Sequence, residues 1–239
     1  MTTLIVMPGT GSDADFVTRA FSRAAESIDA RVCALEPAAD LVENYRARLD
    51  QLADHFASTG EPFLVGGVSI GASIAANWIL QAPGARHCIG VLAALPPWSG
   101  PAGDSVAAAS ARITADAIER DGLEPTIAQM VLTSPEWLAA ELSRSWRSLA
   151  DHGLLEQLRV ASTYVGPTLT QLAALPVPVG ITAAPDDPLH PIAVGRSWAQ
   201  SIPHSVLREV HLTEFGRDER LLGDACLQAW QAASEKVPR

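Results

Sequence analysis

The chain has 239 residues, 48% of them hydrophobic and 18% charged, with a formal net charge of −10. That length and composition fit one globular domain, or one domain with an insertion, and exclude a disordered chain. The acidic balance, with no Lys/Arg cluster, excludes a nucleic-acid surface, and no apolar stretch is long enough to span a bilayer. Lys236 is the single lysine against sixteen arginines, which reads as the coding bias of a GC-rich, bacterial genome. Cys33, Cys88 and Cys226 are odd in number, far apart and in apolar contexts, as expected of buried free thiols in a reducing compartment. No cysteine pair has metal-ligand spacing. The first residues show neither a basic n-region nor a long apolar h-region, so the expectation is a soluble, cytoplasmic protein.

Thr3 to Met7 reads as a buried strand running into the loop Pro8-Gly9-Thr10-Gly11-Ser12-Asp13. Ser12 or Asp13 can cap the next helix, whose apolar face is Phe16, Val17, Ala20, Phe21 and Ala24. The glycines of the loop do not space as G-x-G-x-x-G and no Gly-Lys-Ser/Thr follows, which argues against a phosphate cradle. Arg31 to Glu36 is the second strand. Asp40 then opens an amphipathic helix carrying Leu41, Tyr45, Leu49, Leu52 and Phe56 at helical spacing.

The apolar run Pro62 to Gly66 leads into Gly67-Val68-Ser69-Ile70-Gly71, and small and apolar residues follow to Leu80. This is strand, sharp turn and helix around a G-x-S-x-G pentapeptide, the pattern of a nucleophile elbow. In such a turn Ser69 takes strained backbone geometry that lifts its hydroxyl to the end of the sheet. The new helix aims its free N–H groups at the same place. The Ile70 N–H, with the Thr10 N–H from the first loop, forms a candidate oxyanion hole.

Pro83-Gly84 stops that helix, and Cys88 to Leu95 is the fourth strand. Strands without polar alternation, joined by helices, imply a parallel sheet covered on both faces, with ligands at the carboxyl ends of the strands. Thr10, Ser69 and Trp98 fall at such ends. From Gly100 to about Thr170 the alternation breaks into helices: 105–120, 125–132, 135–152 and 154–162. The expected organisation is a core of residues 1–99 and 171–239 with a helical cap at 100–170. Trp98, Trp137 and Trp146, with Met130, Leu138 and Leu142, could line a pocket beneath it. The sheet resumes at Pro176 to Thr182 and runs into Ala184-Pro185-Asp186-Asp187-Pro188-Leu189-His190-Pro191. A helix at 192–201, a last strand at 206–212 and a helix from Asp218 to about Ala233 follow.

This order of Gly-rich loop, G-x-S-x-G elbow, helical insertion and Asp-bearing loop resembles the α/β-hydrolase superfamily over essentially the whole chain. The resemblance implies an α/β fold with a mostly parallel sheet of about six strands, helices on both faces and an inserted helical cap. It also implies a triad in the chain order Ser, acid, His. Ser69 is then the nucleophile and Asp187, followed four residues later by Pro191, the acid, with Asp186 as its competitor. The superfamily usually carries its histidine after the last strand, often as Gly-His. No Gly-His occurs here. His211 is the histidine in that region, and His190 is the alternative. Pro8 stands where many members have histidine, and the expectation is a smaller sheet without the edge hairpin that many members carry first. The implied activity is hydrolysis of a small carboxylic ester, thioester or lactone, with no metal or organic cofactor. The rival reading is a binding or regulatory protein on the same scaffold without turnover.

Overall fold

In the computed structural model, residues 2–82 and 85–237 are described; the expected Pro83-Gly84 helix stop lies outside them. Among these residues six strands form one parallel sheet. They are β1 (Thr2–Met7), β2 (Ala30–Ala34), β3 (Phe63–Val68), β4 (Cys88–Ala94), β5 (Val179–Ala183) and β6 (Ser205–Glu209). Their order is β2-β1-β3-β4-β5-β6, every neighbouring pair parallel. Helices α1 (Ala14–Glu26), α2 (Leu41–Thr59) and α3 (Ile70–Gln81) alternate with the first strands. After β4 come α4 (Val106–Asp121), α5 (Leu123–Thr133), α6 (Glu136–Leu149), α7 (Leu154–Thr163) and the short α8 (Leu169–Leu172), with no strand between them. Helix α9 (Ile192–Ser201) joins β5 to β6, and the short α10 (Leu212–Phe215) and α11 (Arg220–Ser234) follow. No helix among the described residues is long and apolar enough to cross a membrane.

The strand alternation sorts the core into two layers. Ile5, Met7, Phe63, Val65, Val91 and Ala93 point to one face and are covered by α2, α3 and α9. Leu4, Val6, Leu64, Val68, Leu92 and Ala94 point to the other and are covered by α1 and α11. Because both faces are apolar, the central strands lack polar alternation. Helices α4 to α7 bury Ala111, Ala115, Ile127, Trp146, Leu149, Leu154 and Leu158 in a third core of their own. Cys33, Cys88 and Cys226 are free thiols, and burial pushes Cys88 and Cys226 up to about 12.

Several boundaries depart from the sequence expectation for local reasons. Helix α5 begins at Leu123 rather than Pro125, because a proline in the first helical turn has no N–H to miss there. Strand β6 stops at Glu209 rather than Leu212. The Leu212 N–H is instead taken by the Asp186 carboxylate at 2.7 Å, and the chain turns into α10.

The sheet order reverses at β1, since β2 lies on one side of it and β3 on the other. A crevice therefore opens beyond the carboxyl ends of β1 and β3. The β1 loop and Ser69 sit there. Ser69 has φ 54° and ψ −119°, a positive φ shared among non-glycine residues only with Asp29 and Leu95 in the described chain. Leu95 follows the neighbouring strand β4, so two strained residues stand side by side at strand ends. The crossing of β3 into α3 leaves no space for side chains at the flanking glycines. A Cβ at Gly67 would lie 2.3 Å from the Met7 carbonyl oxygen, and one at Gly71 would lie 2.4 Å from the same atom. The obstacle is backbone in the middle of the sheet, which cannot yield as a side-chain tip can. Gly71→Ala is therefore expected to destabilise the fold by about 3 kcal/mol, at the upper end of overpacking costs. For a chain of this size that is a fall in melting temperature of roughly 6–12 °C, measurable by calorimetry.

Candidate functional site

Three side chains meet at the carboxyl ends of β3 and β5. The Ser69 Oγ lies 2.9 Å from His190 Nε2, and His190 Nδ1 lies 2.8 Å from Asp187 Oδ2. Both distances fall within the range for proton transfer between hydrogen-bonded groups. The Asp187 side chain is 6% exposed and that of His190 15%, so solvent screens the pair weakly.

Local chain chemistry builds this arrangement. The Asp187 Oδ1 accepts the backbone N–H groups of Leu189 at 2.8 Å and His190 at 3.2 Å. Such bonds are those of an Asx turn, with Pro188 pre-setting the backbone inside it. The turn brings the His190 ring back onto the second oxygen of the same carboxylate. Pro191 then starts α9 as its N-cap. Burial opposes ionisation of Asp187, but the His190 ring and the two N–H groups outweigh it and hold the carboxyl below its ordinary value. It stays charged at neutral pH.

His211 is not part of this chain of bonds. It is the N-cap of α10, its side chain is 57% exposed, and its Nδ1 is 3.6 Å from Asp186 Oδ2. The expectation that the histidine after the last strand would meet Ser69 therefore gives way to His190. The early end of β6 explains the difference, because Asp186 captures the start of α10 and His211 is spent on that corner. Asp186, the competing acid, bonds to the Leu212 N–H and not to His190. The signal for His190 was present in the sequence as a histidine three residues after Asp187 with proline between.

Ile70 is the first residue of α3, so its N–H belongs to the group that no preceding helical carbonyl can accept. Gly9 lies against Ser69, since a Cβ on it would be 3.3 Å from the Ser69 Cβ, and the Thr10 N–H is on the peptide that follows. The three tryptophans serve different contacts. Trp98 is buried and donates to the Tyr164 carbonyl at 3.2 Å. Trp137 packs edge-on against Phe215 and lines a cleft of about 290 Å³ with Phe16, Arg19, Glu141 and Arg144. None of Ser69, Asp187 and His190 lines that cleft. Trp146 lies against Gly11 in the β1 loop.

No protein-family model and no curated protein matches the sequence. The fold does match solved structures. MenH from S. aureus superposes with a TM-score of 0.73 at 15% identity, over 98% of this chain and 95% of that one. A hydrolase from Oleispira antarctica gives 0.72 at 15% identity, over 95% and 90%. An esterase from Thermogutta terrifontis gives 0.67 at 17% identity, over 93% and 87%. The chain has the α/β-hydrolase fold. Identities this low speak for the fold alone, and what the site does rests on its own geometry. Asp187 and His190 share one loop, the one after β5, where the resemblance implied a carboxylate and a histidine on two.

The β1 loop is also tied to the helices after β4. Asp13 caps α1 by accepting the Phe16 N–H, and Arg144 of α6 grips the same carboxylate through both terminal nitrogens at 2.7 and 2.8 Å. Burial would raise the Asp13 carboxyl, but Arg144 and the Phe16 N–H prevail and hold it below its ordinary value. A carboxyl depressed on folding stabilises the protein above its unfolded-state value, and that contribution is lost as pH falls through the folded-state value. Arg144→Gln leaves the buried carboxylate short of its partner. We expect a loss of about 1–2 kcal/mol at pH 7, between the values for exposed and buried pairs. The gap from wild type should close as pH falls through the depressed Asp13 value, which urea unfolding across pH will show.

Proposed function

We propose that the protein is a serine hydrolase acting on a small carboxylic ester, thioester or lactone. The observation that carries this reading is the continuous hydrogen-bond chain Ser69–His190–Asp187 at the strained strand-to-helix turn. A serine hydroxyl is a weak nucleophile until a neutral imidazole takes its proton. His190 does so through Nε2, while Asp187 holds Nδ1–H, fixes the tautomer and stabilises the imidazolium. Ser69 Oγ attacks the carbonyl carbon, and the resulting oxyanion is received by the N–H groups of Ile70 and Thr10. His190 then returns the proton to the leaving alcohol or thiol, leaving an acyl-enzyme. Water, deprotonated by the same imidazole, attacks the acyl carbon and frees the acid.

This reading draws further support from solved structures with the same fold that are described as hydrolases and an esterase. The non-catalytic rival rested on the missing Gly-His, and a histidine bonded to Ser69 removes that ground. The proposed setting is a bacterial cytoplasm, with a small molecule as the partner.

The test is labelling by a fluorophosphonate together with hydrolysis of p-nitrophenyl butyrate. Wild type should label stoichiometrically. Ser69→Ala and His190→Ala should lose labelling and reduce kcat by at least about 10⁴-fold. Asp187→Asn should lower kcat by about 10⁴-fold through the wrong tautomer. His211→Ala should keep both activities. Full activity in Ser69→Ala would sink the mechanism, and loss of labelling in His211→Ala with retention in His190→Ala would reverse the choice of base.

A further inference from the structure

Three consecutive residues of α6 hold the loop after β1. Arg144 takes the Asp13 carboxylate, as described. Ser145, fully buried, donates its hydroxyl to the Gly11 carbonyl at 2.7 Å. Trp146, 6% exposed, lays the nitrogen-bearing edge of its indole on Gly11, so that a Cβ there would be 2.7 Å from Nε1. These contacts span more than 130 residues of sequence and converge on the turn closed by the Ser12 N–H to Gly9 carbonyl bond of 3.1 Å. Gly11 has φ +74° while Thr10 does not have a positive φ. That combination is a type II turn, which requires a positive φ at its third residue. The Gly11 carbonyl held by Ser145 and the Ser12 N–H belong to one planar peptide, and the Gly9 carbonyl that this N–H bonds shares a second planar peptide with the Thr10 N–H, so the hold on Gly11 is passed to the direction of the Thr10 N–H.

We propose that Ser145 and Trp146 are positioning residues for the oxyanion hole. Ser145 fixes the Gly11 carbonyl, and Trp146 covers the left-handed Gly11 position of the turn. Together they aim the Thr10 N–H at the Ser69 site. The inference rests on the serine-hydrolase reading. It adds that helix α6, outside the sheet, sets the geometry of a group that acts only in the transition state. Loosening such a group lowers kcat and leaves ground-state binding alone.

The experiment measures kcat and KM for p-nitrophenyl butyrate and the inhibition constant of an alkyl trifluoromethyl ketone, whose adduct with Ser69 carries an oxyanion. Ser145→Ala should lower kcat about tenfold, short of the 10²–10³-fold for deleting an oxyanion donor outright. KM should stay within about twofold, while affinity for the ketone falls in step with kcat. Ser145→Thr, which keeps the hydroxyl, should restore most of the rate. Arg144→Gln, which releases the other end of the grip, should lower kcat about threefold and carries the test if Ser145→Ala does not fold. Unchanged kcat and ketone affinity in the folded variant, beside a wild type that turns over, overturn the inference alone. A change in KM without kcat overturns it too. A wild type that neither turns over nor labels with fluorophosphonate overturns the functional reading, and the inference with it.

Discussion

The Met7 carbonyl oxygen occupies the space that a side chain at either Gly67 or Gly71 would need. That close approach of β1 to the β3–α3 crossing is the constraint on which the site depends. It puts the end of β1 against the elbow, so Gly9 lies against Ser69 and the β1 loop shares its crevice. It also holds Ser69 at a backbone geometry that costs of order 1–3 kcal/mol at an ordinary residue. The surrounding sheet, buried on both faces, over-determines the turn, and the strain buys exposure of the hydroxyl.

A second economy lies in the loop after β5. One carboxylate, Asp187, organises its own turn with Oδ1 and orients His190 with Oδ2. When acid and base stand on separate loops, each must be placed by its own strand. Here the pair is a local unit and only its distance to Ser69 has to be set by the sheet. The adjacent Asp186 is then free to tie β5 to the start of α10. Two neighbouring aspartates thus take opposite duties, one buried beside the imidazole and one facing the exposed His211 corner.

The helices between β4 and β5 have a core of their own, yet they are not loosely attached. Arg144, Ser145 and Trp146 connect that small core to the β1 loop. The same helix α6 lines the cleft around Trp137, where Arg19 and Arg144 are already neutralised by Glu141, Glu219 and Asp13. The satisfied charges there read as a fastening between helix and sheet, since every cation facing the cleft already has an acidic partner.

The sequence by itself determined the architecture, the elbow and the acid-bearing loop. These follow from signals between near neighbours in the chain: glycines on either side of Ser69, apolar runs without alternation, and proline and aspartate at loop starts. Each acts over a few residues, so the sequence expresses it directly. It left open which histidine faces Ser69, because His190 and His211 both follow a strand of the same sheet within a few residues. Only the tertiary structure decided between them, through the point at which β6 ends and the capture of the Leu212 N–H by Asp186. The hold of Ser145 and Trp146 on Gly11 is of the same kind. No local pattern joins residues so far apart, and it exists only once the sheet and the four helices have packed together.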